Sequence, residues 1–203
     1  MTKALFALAL LAACDTNSDP AKLDHAQIIA VRAEPAHVAP GGRARIDVLA
    51  GDDAGNVFET TPDAIAGELA VEHTADGWFV TAGPAPQIAT LAITLAIDGV
   101  TWPATKALVV SEEAANPHVA TMQVDGADST ELVAAIGAKA TLTAVGTGGE
   151  LTYAWYSSIG ELTHYRFPEA TLETKEAGEG NIVVVVRDGV GGVDWQLLPA
   201  RVE

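Results

Sequence analysis

Cys14 is the only cysteine among 203 residues, so its thiol has no partner within the chain for a disulfide bond. It follows a short basic start at residues 1–3, an unbroken apolar stretch at 4–11 and the small pair Ala12-Ala13. This three-part layout is typical of a secretory signal peptide. With about ten apolar residues it falls well short of the roughly twenty that cross a bilayer as a helix. The sequence therefore predicts an exported chain with its single thiol at the end of the signal segment.

The four residues that end at Cys14, Leu-Ala-Ala-Cys, resemble the lipobox of bacterial lipoproteins. In that family the thiol is diacylated, the chain is cut just before it and the new amino terminus is acylated. The resemblance implies a signal peptide over residues 1–13 and lipidation of Cys14. Several acyl chains on one residue anchor durably, because each buried methylene contributes about 0.8 kcal/mol. An ordinary signal peptide cut nearby, or a buried strand with a chance cysteine, leaves this residue order unexplained.

Two acidic stretches could supply a calcium site, since calcium takes about six to eight oxygen ligands and tolerates irregular geometry. One is "RDGVGGVDW", with Asp188 and Asp194 around a glycine-rich turn, and the other is "VDGADSTE", with Asp125 and Asp128. Neither stretch has the spacing of an EF-hand loop. The alternative, which we favour, is that the glycines form tight turns and the aspartates cap them. No cofactor is expected on this interpretation.

Aromatic side chains could instead stack on a sugar. Trp102 follows a hairpin turn and precedes a proline, so it is the tryptophan that we expect to be exposed. Trp155 is expected in a core. A lone exposed tryptophan is compatible with glycan binding but does not indicate it.

The motifs of common enzymes are absent from the sequence. The chain has five histidines, at His25, His37, His73, His118 and His164. They show neither HExxH nor another close spacing that would build a zinc site. There is no G-x-S-x-G elbow, and the lipobox resemblance commits the thiol to lipid. We predict no catalytic residue, although a triad assembled from distant residues is recognised only by geometry. An enzyme with a non-local active site is therefore the third function class.

The amino-acid composition is that of an acidic protein. The formal net charge is −16, and Lys and Arg do not gather into a patch that could hold a polyphosphate, which argues against nucleic acid as a partner. The acidity is spread along the chain, as on a solvated surface. The polar segment 14–27 contains Pro20 and predicts a flexible tether, so that the folded body begins near Ile28.

After the tether, short apolar or alternating runs are separated by Gly, Pro, Asn and Asp, as in an all-β protein. Asp-Gly pairs at 76–77 and 98–99 predict hairpins with type I′ turns, because both residues tolerate positive φ. The valine run at 182–186 predicts a strand covered on both faces. The pattern over residues 128–137 is compatible with an edge strand and turn or with a two-turn helix. We favour the strand, because so short a helix gains little without tertiary support.

A weak repeat with an offset of 96 residues divides the body. Gly41 and Gly137 each precede an alternating apolar run, which is Ala44, Ile46 and Val48 in one copy and Ala140, Leu142 and Ala144 in the other. The charged stretch "SEEAANPH" at 111–118 separates the copies. A period of roughly 100 residues is the size of one immunoglobulin-like sandwich. We therefore predict one domain over 28–111 and another over 118–203.

Both copies resemble domains of bacterial envelope proteins. "LTYAWYSSIGEL" places Trp155 as on the third strand of many immunoglobulin-like sandwiches, where a buried tryptophan pins the sheets. "NIVVVVRDGVGGVDWQLLPARV" is similar to the last hairpin of polycystic-kidney-disease-type (PKD-like) domains. The first copy resembles a bacterial Ig-like module in "AVRAEPAHVAPGGRARIDVLAGDDAGN", without a tryptophan at the pin position. The resemblances imply an all-β protein of two tandem immunoglobulin-like antiparallel β-sandwiches.

A lipobox, a short tether and two such domains are together similar to a class of Gram-negative lipoproteins with no assigned activity. The similarity implies a lipid-anchored protein of the cell envelope, on the periplasmic side or at the cell surface. Asp15 is an inner-membrane signal only in enteric bacteria, so both membranes stay open. We predict a non-enzymatic structural, adhesive or protein-interaction module whose partners are the membrane and another envelope or surface protein. The alternative is a carbohydrate- or calcium-dependent surface-binding protein.

Overall fold

The computed structural model describes residues 19–203, and over these residues the chain forms strands and no helix. Nine strands form a first sandwich: β1 (Gln27–Glu34), β2 (His37–Val38), β3 (Arg43–Gly51), β4 (Val57–Thr60), β5 (Ala64–Gly67), β6 (Ala70–Thr74), β7 (Gly77–Thr81), β8 (Gln87–Ile97) and β9 (Val100–Val110). Nine more form a second: β10 (His118–Val124), β11 (Ala127–Asp128), β12 (Leu132–Ala134), β13 (Lys139–Thr147), β14 (Thr152–Ser157), β15 (Glu161–Thr163), β16 (Glu169–Glu173), β17 (Gly178–Arg187) and β18 (Val193–Val202).

Strand order is equivalent in the two sandwiches. The first has sheets β6-β7-β3-β1, with β4 also beside β3, and β5-β8-β9-β2; the second has β15-β16-β13-β10-β11 and β14-β17-β18-β12. In each, a short early strand pairs in parallel with the last strand, β2 with β9 and β12 with β18, and the other pairs are antiparallel. This is an immunoglobulin-like arrangement of two packed antiparallel sheets. The predicted fold is confirmed.

The sequence repeat corresponds to equivalent strands, because β3 and β13 begin at Arg43 and Lys139, also 96 residues apart. The apolar residues of the repeat are buried: Ala44, Ile46, Val48, Ala140, Leu142 and Ala144. Gly41 and Gly137 precede them with φ of +74° and +80°, values that glycine adopts without the steric cost other residues meet. Residues 128–137 contain the short strand β12 and a turn, as the edge-strand interpretation predicted.

Four Asp-Gly pairs lie at hairpin turns, at 76–77, 98–99, 125–126 and, in the longer turn after β17, at 188–189. The pair at 98–99 has φ of 52° and 80°, as a type I′ turn requires. The hairpin around 76–77 also forms, but residues 75 and 76 make its turn and Asp76 lacks a positive φ, so the predicted turn type is wrong there. The pair at 125–126 has φ of 51° and 81° and connects β10 to β11. The sequence analysis did not predict this turn, although the same Asp-Gly signal is present there.

The core of the second sandwich surrounds Trp155, which has no exposed area. Its indole N–H donates to the carbonyl of Phe167 at 2.9 Å, and its backbone N–H donates to the carbonyl of Tyr165 at 2.8 Å. The expectation that this tryptophan lies in a core is confirmed. In the first sandwich the equivalent strand β5 places Ile65 in the core instead.

Candidate functional site

The two sandwiches lie side by side and share a third hydrophobic cluster, which we call the seam. It consists of Leu23, Ile29, Ala30, Leu49, Val183, Val185, Val193 and Trp195. Every residue from Ile182 to Val186 has no exposed area, as the valine run predicted. Alternate residues of this run face the second core, while Val183 and Val185 face the first sandwich. The first sandwich therefore covers the outer face of β17.

Arg32 of β1 makes the principal polar contacts across the seam. Its guanidinium donates to Asp194 Oδ1 at 3.0 Å, lies 3.6 Å from Asp47 Oδ2 and stacks 4.2 Å from the centroid of the Trp195 ring. The side chains of Asp47 and Asp194 are only 12% and 13% exposed. Two mostly buried carboxylates thus share this cation, although Asp47 also pairs with the more exposed Arg45 at 2.9 Å. Leaving a charge unpaired in such a setting is costly.

Lys106 is a second charged group that joins the sandwiches. It occupies a core-facing position of β9, between Ala104 and Leu108, and is only 6% exposed. Its ammonium donates to the carbonyl of Gly191, in the turn between β17 and β18, at 2.5 Å. Burial lowers the pKa of Lys106 to about 8, with a smaller opposing contribution from the carboxylate of Asp188. This hydrogen bond links β9 of the first sandwich to the turn between β17 and β18 of the second.

We expect Lys106→Met to remove a pH dependence of stability that the wild type has. Below pH 8 the folded protein buries an ammonium, whereas between pH 8 and 10.5 the folded chain has released a proton that the unfolded chain still holds. Raising the pH through this window therefore stabilises the wild type relative to the variant, by up to about 3 kcal/mol. Urea unfolding of both proteins at pH 7 and at pH 10 measures this. A difference in stability that is equal at both pH values would contradict the assignment.

A cleft of about 420 Å³ opens beside Lys106, between β1, β9 and the turn that follows β17. Its charged side chains are those of Lys106 and Arg187, and the remaining lining is mostly apolar residues and glycines. Among the described residues that line it there is no histidine or carboxylate to act as a general base. The cleft is therefore a gap between the domains whose charged side chains are both cationic.

The N-terminal segment, residues 19–26, connects the two sandwiches. Its backbone makes two hydrogen bonds of 2.8 Å with Ser157, in parallel pairing along the outer edge of β14. Ala21 is buried in the second core, Leu23 in the seam and Ala26 in the first core, and each is at most 3% exposed. One short stretch of chain thus contributes a side chain to all three hydrophobic clusters.

The prediction of a flexible tether over residues 14–27 is wrong for its described part. The sequence of the segment is mostly polar, but each of its buried apolar residues packs in a different hydrophobic cluster. The side chain of Asp53 also accepts the backbone N–H of Ala26 at 2.7 Å. The folded body includes Ala21 and does not begin near Ile28.

No family model and no curated protein matches this chain. Among solved structures, the tandem Ig repeats of Drosophila Dlar are 15% identical, with 89% of this chain and 98% of that chain covered and a TM-score of 0.39. The fibronectin(III)-like modules of Clostridium thermocellum CbhA are 16% identical, with 86% and 94% covered and a TM-score of 0.35. A nucleoside hydrolase-related hypothetical protein from Saccharophagus degradans is 20% identical over 44% of this chain and 26% of its own, with a TM-score of 0.36. The likeness is one of fold.

Cys14, the predicted lipidation site, lies outside the described residues, as does the predicted signal peptide over 1–13. Within the part of the chain that the structure describes, no helix is long and apolar enough to cross a membrane.

The aspartates considered for calcium serve separate turns and strands. Asp188 accepts the backbone N–H groups of Val190 and Gly192 at 2.9 and 2.8 Å, so it caps its turn. Asp194 lies on β18, where it accepts from Arg32 and from the backbone N–H of Val119.

The other pair is equally dispersed. Asp125 accepts the backbone N–H of Thr141 at 2.8 Å, and Asp128 accepts the side-chain amide of Gln123 at 2.9 Å. Over residues 19–203 no three His, Cys, Asp or Glu side chains converge as a metal site would require. Neither of the two stretches named by the calcium hypothesis therefore gathers three such side chains within the described residues.

Trp102 is half-buried against the first core, and its indole N–H is buried without a hydrogen-bond partner among the described residues. The expectation of an exposed stacking platform at Trp102 is therefore wrong: although it follows a hairpin turn, its position on β9 faces inward. Among residues 19–203, Trp78 stacks on His73, with centroids 4.5 Å apart and planes 14° apart.

One serine–histidine contact occurs among the described residues. His37 Nδ1 lies 3.4 Å from Ser111 Oγ, and His37 Nε2 lies 3.1 Å from the carbonyl of Val190. A catalytic histidine would present its second nitrogen to a carboxylate, but here it faces a backbone carbonyl of the other domain. The Ser111 hydroxyl in turn donates to the carbonyl of Glu112. This contact ties the interdomain linker to the turn after β17.

Sequence reasoning missed Arg32 and Lys106. A signal for Lys106 exists in the register of β9, because it has the same parity as the inward residues Ala104 and Leu108. A charge at a core-facing position indicates a buried polar contact. The sequence alone gives no indication of the group that accepts it.

Proposed function

We propose that this chain is a lipid-anchored, non-enzymatic module of the cell envelope, attached to a membrane through acylated Cys14. The observation that carries the proposal is the N-terminal segment, because the chain that leads away from Cys14 is built into both sandwiches at once. An anchor at Cys14 would hold the two domains as a single body close to the bilayer. A long flexible stalk would let that body range freely.

The polar contacts of the described residues support a binding body over a catalyst. Arg32, Lys106 and Asp194 connect the domains, and the cleft beside Lys106 has no carboxylate or histidine in its lining. These groups fix the relative position of the sandwiches, which suits a structural, adhesive or protein-interaction role. The net charge of −16 agrees with an exported, solvated body and not with a nucleic-acid partner.

The outer strands offer the surfaces for another envelope or surface protein. β6 and β15 each end a sheet and have one neighbouring strand in the described structure. Such edges present unpaired backbone groups that can accept an added strand. The edge of β14 is less open, because the N-terminal segment and Tyr165 already hydrogen-bond to it. Strand addition at β6 or β15 is therefore the proposed mode of partner binding.

We expect the wild-type chain, expressed in a Gram-negative host, to fractionate with membranes and to carry acyl chains on Cys14. The variant Cys14→Ser should be found in the soluble fraction, because the anchor needs the thiol and several chains bind durably. Palmitate labelling and mass spectrometry of the mature product measure this. Asn17→Ala is the matched control, since it alters the same stretch and keeps the thiol. A bare thiol in the mature wild type would overturn the proposal.

A further inference from the structure

The turn between β15 and β16 presents four consecutive residues that differ from the rest of this acidic surface: His164, Tyr165, Arg166 and Phe167. Phe167 is 60% exposed, which makes it one of the few large apolar side chains that the described residues leave in solvent. The Arg166 guanidinium lies 5.6 Å from the Tyr165 ring, and the His164 and Phe167 rings meet edge to face at 6.3 Å. We call residues 164–167 the aromatic turn.

The exposure of Phe167 belongs to a fixed conformation. The Phe167 N–H donates to the carbonyl of His164 at 3.0 Å, closing the turn, and His164 holds a φ of 59°. The fully buried Trp155 donates to the carbonyls of Tyr165 and Phe167. A core residue thus holds the turn from below. The apolar ring is held outward in advance of any binding, so little conformational entropy is lost when it is covered.

The chain from Cys14 reaches the body beside this turn. Trp155 and Ser157 are two residues apart on β14, and their N–H groups donate to the carbonyls of Tyr165 and Ala21 respectively. Their acceptors therefore lie about 7 Å apart along the same strand edge. Because residues 21–23 run parallel to β14, Pro20 lies back toward the Tyr165 position. Asp19 is five positions after Cys14 in the sequence, which gives a covalent reach of at most about 18 Å.

We propose that the aromatic turn is a second membrane contact, which inserts Phe167 into the lipid headgroup region next to the acyl anchor. The inference rests on the proposed lipidation of Cys14. Tyrosine favours the membrane–water interface, phenylalanine is among the apolar residues that interfacial segments bury there, and arginine is attracted to anionic lipid. Arg166 has no carboxylate partner over residues 19–203, so its charge is available to a phosphate headgroup. A chain of net charge −16 needs such a local site to approach an anionic surface.

A four-residue contact would bind a bilayer only weakly on its own. Next to a covalent anchor it becomes an intramolecular contact, whose effective concentration is set by the short chain between them. The result would be a defined orientation of the body, with the edge of β14 toward the membrane.

The test uses the full acylated chain in vesicles of phosphatidylethanolamine and phosphatidylglycerol whose acyl chains are brominated. Phe167→Trp adds a fluorophore to the aromatic turn, and Ile88→Trp adds one to an exposed position of the first sandwich, where Ile88 is 73% exposed. After subtraction of the wild-type emission, we expect the signal added by Phe167→Trp to be largely lost by quenching. The signal added by Ile88→Trp should persist.

The outcomes separate the two proposals. Mass spectrometry of each sample reports whether Cys14 is acylated, and a bare thiol would overturn the anchor and with it this inference. Acylated protein in which neither added signal is quenched, or both are quenched equally, would overturn the second contact alone. Arg166→Glu introduced with Phe167→Trp should restore emission on the anionic vesicles, and unchanged quenching in that double variant would contradict the role given to Arg166.

Discussion

We expect Arg32→Ala to lower the free energy of unfolding by about 3 to 5 kcal/mol, because it removes the one cation shared by two mostly buried carboxylates. Asp194 loses its ion pair at 3.0 Å, and Asp47 keeps only Arg45, which is itself 46% exposed. The variant also uncovers one face of Trp195 in the seam. Urea unfolding followed by circular dichroism measures the loss.

Arg43 provides a matched control on the same sheet. Its guanidinium also lies over an aromatic ring, that of Phe79 at 3.9 Å, and it also forms an ion pair, with Glu72 at 2.7 Å. Those two charged side chains are 45% and 62% exposed, so water screens the pair and Arg43→Ala should cost at most about 1 kcal/mol. Equal losses for the two variants would show that burial in the seam is not the source of the effect.

The features that sequence could predict are those that local pattern determines. Alternation in β3 and β13 places one set of side chains in each core, and the 96-residue offset relates the two strands. The Asp-Gly pair at 98–99 sets its turn through positive φ at both residues. The valine run in β17 predicts burial on two faces, because every position is apolar. Each inference needs only residues close together in the chain.

The seam could not be predicted in this way, because its partners are far apart in sequence. Arg32 and Asp194 are separated by 162 residues, and Lys106 and Gly191 by 85. The valine run indicates that a second covering exists but carries no information on which surface supplies it. The pairing depends on how the outer faces of two folded sheets fit, which no short-range periodicity encodes.

Composition wrongly predicted a flexible tether at the N-terminal segment for a related reason. Its buried residues Ala21, Leu23 and Ala26 are separated by polar ones and are too few to read as a strand. Each contacts a different cluster, so their burial becomes visible only after both sandwiches have been placed. Trp102 is the opposite case: proximity to a turn suggested exposure, while register on β9 turned the side chain inward.

Because of the seam, a membrane contact at the aromatic turn would orient both sandwiches. Shared hydrophobic packing, the Arg32 contacts and the Lys106 hydrogen bond make the two sandwiches one body. An orientation fixed at residues 164–167 on the second sandwich is then transmitted to the first. With independent domains, the same turn would orient only half of the protein.

The other large effect is expected at Trp155, where Trp155→Ala should lower the free energy of unfolding by about 3 to 5 kcal/mol. The residue has no exposed area, so the substitution leaves a cavity at the centre of the second core. Trp155→Phe keeps much of the volume but leaves the carbonyl of Phe167 without its indole donor, which we expect to cost about 1 to 3 kcal/mol. Thermal unfolding by circular dichroism measures both.

Trp102→Phe is the control that separates the hydrogen bond from the loss of ring size. The Trp102 indole N–H is buried with no partner among the described residues, so its removal relieves an unpaired donor while the half-buried ring stays against the first core. We expect this variant to lie within about 1 kcal/mol of the wild type, or above it in stability. Equal losses of stability in the two Trp→Phe variants would mean that the indole of Trp155 acts only by filling space. The hydrogen-bond support that Trp155 gives to the aromatic turn would then come from its backbone N–H alone.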